Sequence, residues 1–317
     1  MPKQNYTVRL LIFMIFCAFM YGVLLVVWAA ILPAKFAGNV KHPLGGGGHL
    51  HTRLAEVQDH APVDILFLGS SLAYRGFDTR IWKERGYTAF NLGSSAQSPV
   101  QTEQLVKEFV DQLQPQVVIM EVYSILSTSD GVESSLSMIA NHKLDAGLLE
   151  MAGRVGNILT FNTLIYASCR KLLGVDKNFK EPLYEAPDRY IPGGFVEHDS
   201  AEFRDKGNSN SVRKEPIAFQ WDAFLRTCAL LKAKNCRIIF IVTPTTSANQ
   251  NMMLANPTET DNWFRSQPNY LDMNGKVLLN DSTDFFDSKH LQQGAVFKFN
   301  NALIDTLIDR NWLPVRD

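Results

Sequence analysis

Near the C-terminus, an acidic side chain stands three residues ahead of a histidine, in Asp287-Ser288-Lys289-His290. His290 is the only one of the 7 histidines with a carboxylate at that spacing. On a tight turn Asp287 can reach the imidazole from the same side, fix its tautomer and make it a base. Such a base needs a nucleophile, and two candidate triplets follow short apolar runs: Gly69-Ser70-Ser71 and Gly93-Ser94-Ser95. The first follows the more apolar run and favours Ser71, with Ser70 its nearest rival and Ser94 and Ser95 behind. Phe285 and Phe286, just upstream of the Asp–His pair, are expected to shield it from water. Each piece alone has a structural use, since Gly-Ser-Ser often makes a turn and a helix N-cap. Their order along the chain gives them weight together.

Positioning these groups takes a scaffold. Residues 64–68, 88–92, 116–122 and 237–243 are near-continuous apolar and β-branched runs, which suits strands buried on both faces of a parallel sheet. Val277-Leu278-Leu279 is a weaker fifth candidate. Helical spacing of apolar residues appears over 97–113, 217–234 and 293–309, and over Leu144–Leu173 with interruptions at Gly153 and Gly156. Strand and helix alternate, so the expected fold is an α/β three-layer sandwich with a mostly parallel sheet. In such sheets ligands gather at the carboxyl ends of the strands, where both Gly-Ser-Ser triplets and Tyr123-Ser124 fall. Residues 125–215 interrupt the rhythm as an insertion, expected to be a lid or an acceptor-binding surface.

The run from Leu10 to Leu32 carries no charge. Its length of about 23 residues matches the ~20 that cross a hydrocarbon core as a helix. A cleavable signal peptide would have an apolar region of only about 7–15 residues, so an uncleaved anchor is the expectation. Lys3 and Arg9 ahead of it favour a cytoplasmic N-terminus and an extracytoplasmic domain, although Lys35 and Lys41 weaken the asymmetry. The organisation that follows is residues 1–9 cytoplasmic, 10–32 a single-pass transmembrane anchor, 33–61 a linker, 62–310 the α/β domain and 311–317 a tail. Gly45-Gly46-Gly47-Gly48 makes the linker read as a flexible tether. His49 and His51 beside it are not taken as a metal site, and no cofactor is expected.

Composition narrows the classes. With 46% hydrophobic and 20% charged residues the chain can pack a core, and a net charge of -1 offers nucleic acid no attraction. The 4 cysteines (Cys17, Cys169, Cys228, Cys236) show no C-x-x-C spacing. Cys228 and Cys236 could pair, but buried free thiols are the simpler expectation.

The ordered blocks resemble the SGNH (GDSL-like) hydrolase superfamily. Its Gly-x-Ser after the first strand matches Gly69-Ser70-Ser71, its glycine after the second matches Gly93, and its C-terminal Asp-x-x-His matches Asp287 to His290. The resemblance implies Ser71 as nucleophile, His290 as base and Asp287 as its orienter. The oxyanion hole would come from the backbone N–H groups of Ser71 and Gly93. The third block departs: where the family has an Asn, this chain has Glu121-Val122-Tyr123-Ser124, leaving the Tyr123 hydroxyl as a third donor. Anchored members of the superfamily imply a serine acyltransferase or esterase acting on O-acyl groups of an envelope glycan, with a membrane-bound O-acyltransferase as partner. The alternatives are an anchored esterase that uses water, and a non-catalytic assembly or glycan-binding protein that keeps the fold.

Overall fold

A computed structural model describes residues 5–38, 40, 42–46, 48–126, 129–204 and 215–315. Its centre is a five-stranded sheet of β1 (Ile65–Leu68), β2 (Ala89–Asn91), β3 (Val117–Glu121), β7 (Arg237–Val242) and β8 (Tyr270–Asp272). The order is β2-β1-β3-β7-β8 and every pairing is parallel. Successive side chains point to opposite faces. Ile65, Phe67, Val117, Ile119, Ile239 and Ile241 therefore enter one core, and Leu66, Leu68, Val118, Met120, Phe240 and Val242 the other. Burial on both sides explains why these strands are apolar without alternation.

Helices α3 (Ser71–Gly76), α4 (Thr79–Glu84) and α13 (Gln293–Asp309) cover the first face. The second is covered by α2 (Leu50–Gln58), α5 (Pro99–Leu113), α7 (Val132–Asn141), α8 (Ala146–Val155), α10 (Ala218–Ala233) and α12 (Glu259–Arg265). The remaining helices are α1 (Tyr6–Ile31), α6 (Tyr123–Leu126), α9 (Ile158–Leu172) and α11 (Ser247–Ala255). Each fully buried Leu, Ile or Phe of these layers contributes about 1.5–3 kcal/mol.

The fifth strand is not Val277–Leu279. It is Tyr270–Asp272, an edge strand pairing with Phe240–Val242, while Leu278 is 95% exposed. A two-layer edge strand buries only its middle residue, Leu271, so it lacks the apolar run that marks the inner strands.

The glycine tether is also corrected. Gly45 N–H donates to Asn141 Oδ1 at 2.7 Å and Gly46 N–H to Glu181 Oε1 at 2.7 Å, so long-range acceptors fix this backbone. Leu50, Leu54 and Val57 of α2 then join the core within the stretch expected to be a linker. Gly47 and Lys41 lie outside the described residues.

Part of the insertion is helical. Helix α8 continues through Gly153 and stops at Gly156, which takes φ +61°. The insertion also carries a three-stranded antiparallel sheet of β4 (Tyr184–Glu185), β5 (Asp188–Ile191) and β6 (Phe195–His198). Its β5–β6 turn is locked onto β2. Asn91 N–H donates to Gly193 O at 2.8 Å, and buried Arg53 donates to Gly194 O at 2.8 and 3.1 Å. At φ +90° a Cβ on Gly194 would lie 2.1 Å from Asn91 O, so this turn requires glycine. Residues 205–214 of the insertion lie outside the described residues.

Helix α1 is 26 residues long and apolar enough to cross a membrane. Towards its C-terminus it meets α9, where Leu25 and Ala29 pack with Ile165 and Tyr166 and Tyr21 OH donates to Asn162 Oδ1 at 2.5 Å. All four cysteines are free, with Cys228 and Cys236 buried.

Candidate active site

Strand β1 ends at Leu68, and the chain turns at Gly69 into α3. At φ +143° a Cβ on Gly69 would lie 2.7 Å from Glu121 Cβ, so only glycine lets β1 and β3 approach this closely at their ends. Ser70 caps α3 by accepting from Leu72 N at 3.3 Å, and it donates to Glu121 Oε2 at 3.0 Å. Ser71 becomes the first residue of the helix, with its hydroxyl in the cavity.

Opposite it stands the turn before α13. Thr246, after β7, holds this turn by donating from its N–H and its Oγ1 to Ser288 O, both at 3.1 Å. Within the turn Asp287 Oδ1 accepts from Lys289 N and His290 N, both at 2.9 Å. His290 Nδ1 lies 2.9 Å from both Asp287 oxygens, and its Nε2 lies 2.8 Å from Ser71 Oγ. A carboxylate can only accept, so Nδ1 carries the proton and Nε2 is left to accept from the serine hydroxyl. Burial pushes the Asp287 carboxyl up, but His290 and the two backbone N–H groups outweigh it and hold it well below the usual carboxylate range. The orienting group is therefore a carboxylate at any working pH. Ser71, His290 and Asp287 thus form a continuous hydrogen-bonded chain, the geometry that a nucleophile, a base and its orienter require.

The ring of His290 is backed by a stack. Phe286 lies nearly parallel to it, with centroids 5.3 Å apart and planes 7° apart. On Phe286 stacks His198 of β6, at 4.1 Å and 30°. His198 Nδ1 lies 2.8 Å from Asp188 Oδ1, and Arg75 grips Asp188 with two bonds of 2.6 and 2.7 Å. Arg75 is one helical turn after Ser71, so the insertion is clamped to both halves of the site. Burial opposes the charge of Arg75, but Tyr74 and Asp188 outweigh it and raise its pKa further.

No family model matches the chain, and no curated protein matches it. Among solved structures it is similar to a GDSL-like lipase from Bacteroides thetaiotaomicron, at 11% identity and a TM-score of 0.40, over 84% of this chain and 100% of that one. It is also similar to a Bacteroides fragilis protein assigned as an acylhydrolase, at 12% identity and a TM-score of 0.40, over 84% and 99% of the two chains. These likenesses are too loose to bear on chemistry. The chain itself carries the ordered blocks expected from its sequence. It has the α/β fold, a serine turn after β1, a glycine after β2 and an Asp-x-x-His turn before the last helix.

The expected oxyanion donors need correction. Gly93 N–H donates to Asn91 Oδ1 at 3.0 Å, and the Tyr123 hydroxyl donates to Asn249 Oδ1 at 3.0 Å. Both are committed, because a neighbouring amide oxygen is aimed at each. The N–H of Ser71 sits in the first turn of α3, where no intrahelical acceptor exists, and remains as a donor. At the end of β3, Glu121 is buried and accepts from Ser70 Oγ and, at 2.5 Å, from Tyr123 N. It ties the ends of β1 and β3 together two residues before Tyr123, the position where the resemblance would put a donating Asn.

Two of the rival serines, Ser70 and Ser94, have other uses. Ser70 is the cap bound to Glu121, and Ser94 Oγ donates to Gln97 Oε1 at 2.8 Å. His290 Nε2 reaches Ser71. Sequence reasoning missed Arg75, Asp188 and His198, which lie far apart in the chain; only the spacing of Arg75, one turn beyond Ser71, was a local signal.

Proposed function

We propose that this chain is a serine-dependent acyltransferase or esterase of the SGNH type, acting on O-acyl groups of a glycan made at the membrane. The observation that carries this is the unbroken chain from Asp287 through His290 to Ser71 Oγ, at 2.9 and 2.8 Å. Ser71 Oγ attacks the acyl carbonyl while His290 Nε2 takes its proton, and Asp287 stabilises the imidazolium that forms. The tetrahedral oxygen is held by Ser71 N–H. Collapse breaks the bond to the leaving oxygen, which receives the proton from His290 and leaves an acyl-serine. A sugar hydroxyl or water, deprotonated by His290, then attacks that ester and restores Ser71.

The glycan in this reading follows the resemblance to anchored members of the superfamily. The cavity beside Ser71 measures about 280 Å³ and is lined by Ser70, Ser71, Leu72, Ala96, Gln97, Tyr123, Ser129, Lys289 and His290. Helix α1 supports placement at a membrane, with an extracytoplasmic domain and a membrane-bound O-acyltransferase as donor partner forming part of the proposal.

Full-length protein in detergent, given an activated acetyl ester, should form an acyl-enzyme on the peptide bearing Ser71. Added glycan acceptor should accelerate its loss if transfer is the reaction, and leave it unchanged if water is the acceptor. Acylation that persists in Ser71→Ala would overturn the proposal.

A further inference from the structure

One charged side chain in the cavity takes no part in the hydrogen-bonded chain. Lys289 lines the same wall as His290, and its position is fixed because its backbone N–H donates to Asp287 Oδ1 at 2.9 Å. Its ammonium rests over the face of Tyr123, 5.0 Å from the ring centroid. That ring is buried and its hydroxyl is held by Asn249, so the shelf under the ammonium is rigid.

Four of the other described lysines close on carboxylates, whereas Lys171 donates to backbone carbonyls. Lys107 pairs with Glu103, Lys143 with Glu108, Lys234 with Asp111 and Lys298 with Asp284. Among the described residues no carboxylate forms a salt bridge with Lys289. Asp287 is held by His290, Glu121 accepts from Ser70 and Tyr123 N, and Asp130, next to the lining Ser129, accepts from Val132 N. Among the described residues, the cavity lining carries the Lys289 ammonium and no acidic side chain, beside the Ser71 hydroxyl.

We infer that Lys289 reads an anionic group, a carboxylate or a phosphate, carried by the substrate next to the ester that Ser71 attacks. This rests on the proposed function of that site. A lysine is a compact point charge with rotatable donors and no planar fork. It therefore selects the sign of the charge, so carboxylate and phosphate share the chemistry. A desolvating cleft strengthens such a pair relative to open water, while partial exposure limits it.

The test has a binding arm that needs no turnover. Full-length Ser71→Ala protein in detergent is titrated with methyl glucoside, methyl glucuronide and methyl glucoside 6-phosphate, and binding is followed by ligand-observed NMR. At least one anionic sugar should bind about tenfold more tightly than the neutral one, a difference of about 1.4 kcal/mol. Preference for the glucuronide alone identifies a uronate, and preference for the phosphate alone a sugar phosphate. Adding Lys289→Gln should collapse the preference, Lys289→Arg should keep most of it, and Lys289→Glu should reverse it. An anion preference that is absent, or equal in the Lys289→Gln protein, overturns the inference whether or not the site acylates. In an arm with otherwise wild-type protein, equal loss of turnover on neutral and anionic acetyl esters in Lys289→Gln would also overturn it. That result would assign the charge to the oxyanion instead.

Discussion

Phe286→Ala separates positioning from chemistry. The Phe286 ring lies between the rings of His290 and His198, so removing it deletes two stacked contacts, at 5.3 and 4.1 Å. Each such contact is worth about 0.5–1.5 kcal/mol beyond simple burial. Only the contact with His290 bears on the imidazole's aim at Ser71; the other holds the insertion to the turn. The rate of serine acylation should therefore fall about 2- to 12-fold, the rate equivalent of 0.5–1.5 kcal/mol. Stability should fall by about 1–3 kcal/mol from the two contacts together. The assay is the second-order rate of labelling by a serine-directed fluorophosphonate, alongside kcat and KM on a small aryl acetate. The rate loss should appear in kcat with KM nearly unchanged, and Phe286→Tyr should restore most of it. Lost stability with an unaltered labelling rate would refute the positioning role. A loss of 1,000-fold or more would mean that Phe286 supports the site in a way the stacking geometry does not account for.

Two further outcomes follow from named bonds. In Asp287→Asn the amide oxygen is still needed by the N–H groups of Lys289 and His290, so the NH2 group must face His290 Nδ1. That moves the imidazole proton to Nε2 and leaves Ser71 facing a donor, and acylation should drop about 1,000- to 10,000-fold with little change in substrate binding; a drop below tenfold would contradict the tautomer assignment. In α5, burial pushes Glu108 up, but its bonds to His142 and Lys143 outweigh it and hold its carboxyl at about 2, against an ordinary value of 4.5. Because the folded value is depressed, this stabilisation is present above about pH 4.5 and is lost as pH falls towards about 2. Glu108→Gln should then cost about 2–3 kcal/mol at pH 7 and flatten the acid limb of a urea-denaturation series, whereas parallel losses in both proteins would refute the pairing.

Much of this architecture was legible from local pattern, because the three inner strands β1, β3 and β7 bury both faces and must be apolar almost throughout. The fifth strand was not, since an edge strand with one buried residue, Leu271, leaves no such trace. The glycine segment misled for a related reason. Its order comes from acceptors on Asn141 and Glu181, far away in the chain, and no local rule anticipates them. At the site, Asp287 and His290 were readable because their relation is a three-residue spacing, and Ser71 because its strand-end position is fixed by topology. Of the expected oxyanion donors, Gly93 N–H and the Tyr123 hydroxyl are turned to the side chains of Asn91 and Asn249, which no local pattern announces. The clamp of Arg75, Asp188 and His198 joins α3 to the insertion's sheet, and only the folded chain brings those elements together.

The central claim is that Ser71, activated by His290, is the nucleophile. Fluorophosphonate labelling of the full-length protein, with the adduct mapped by peptide mass spectrometry, tests it most directly. The expected adduct sits on Ser71, disappears in Ser71→Ala, slows by orders of magnitude in His290→Ala and survives in Ser70→Ala. Labelling that is undiminished in Ser71→Ala, or an adduct mapped to Ser70, Ser94 or Ser95, would contradict the account.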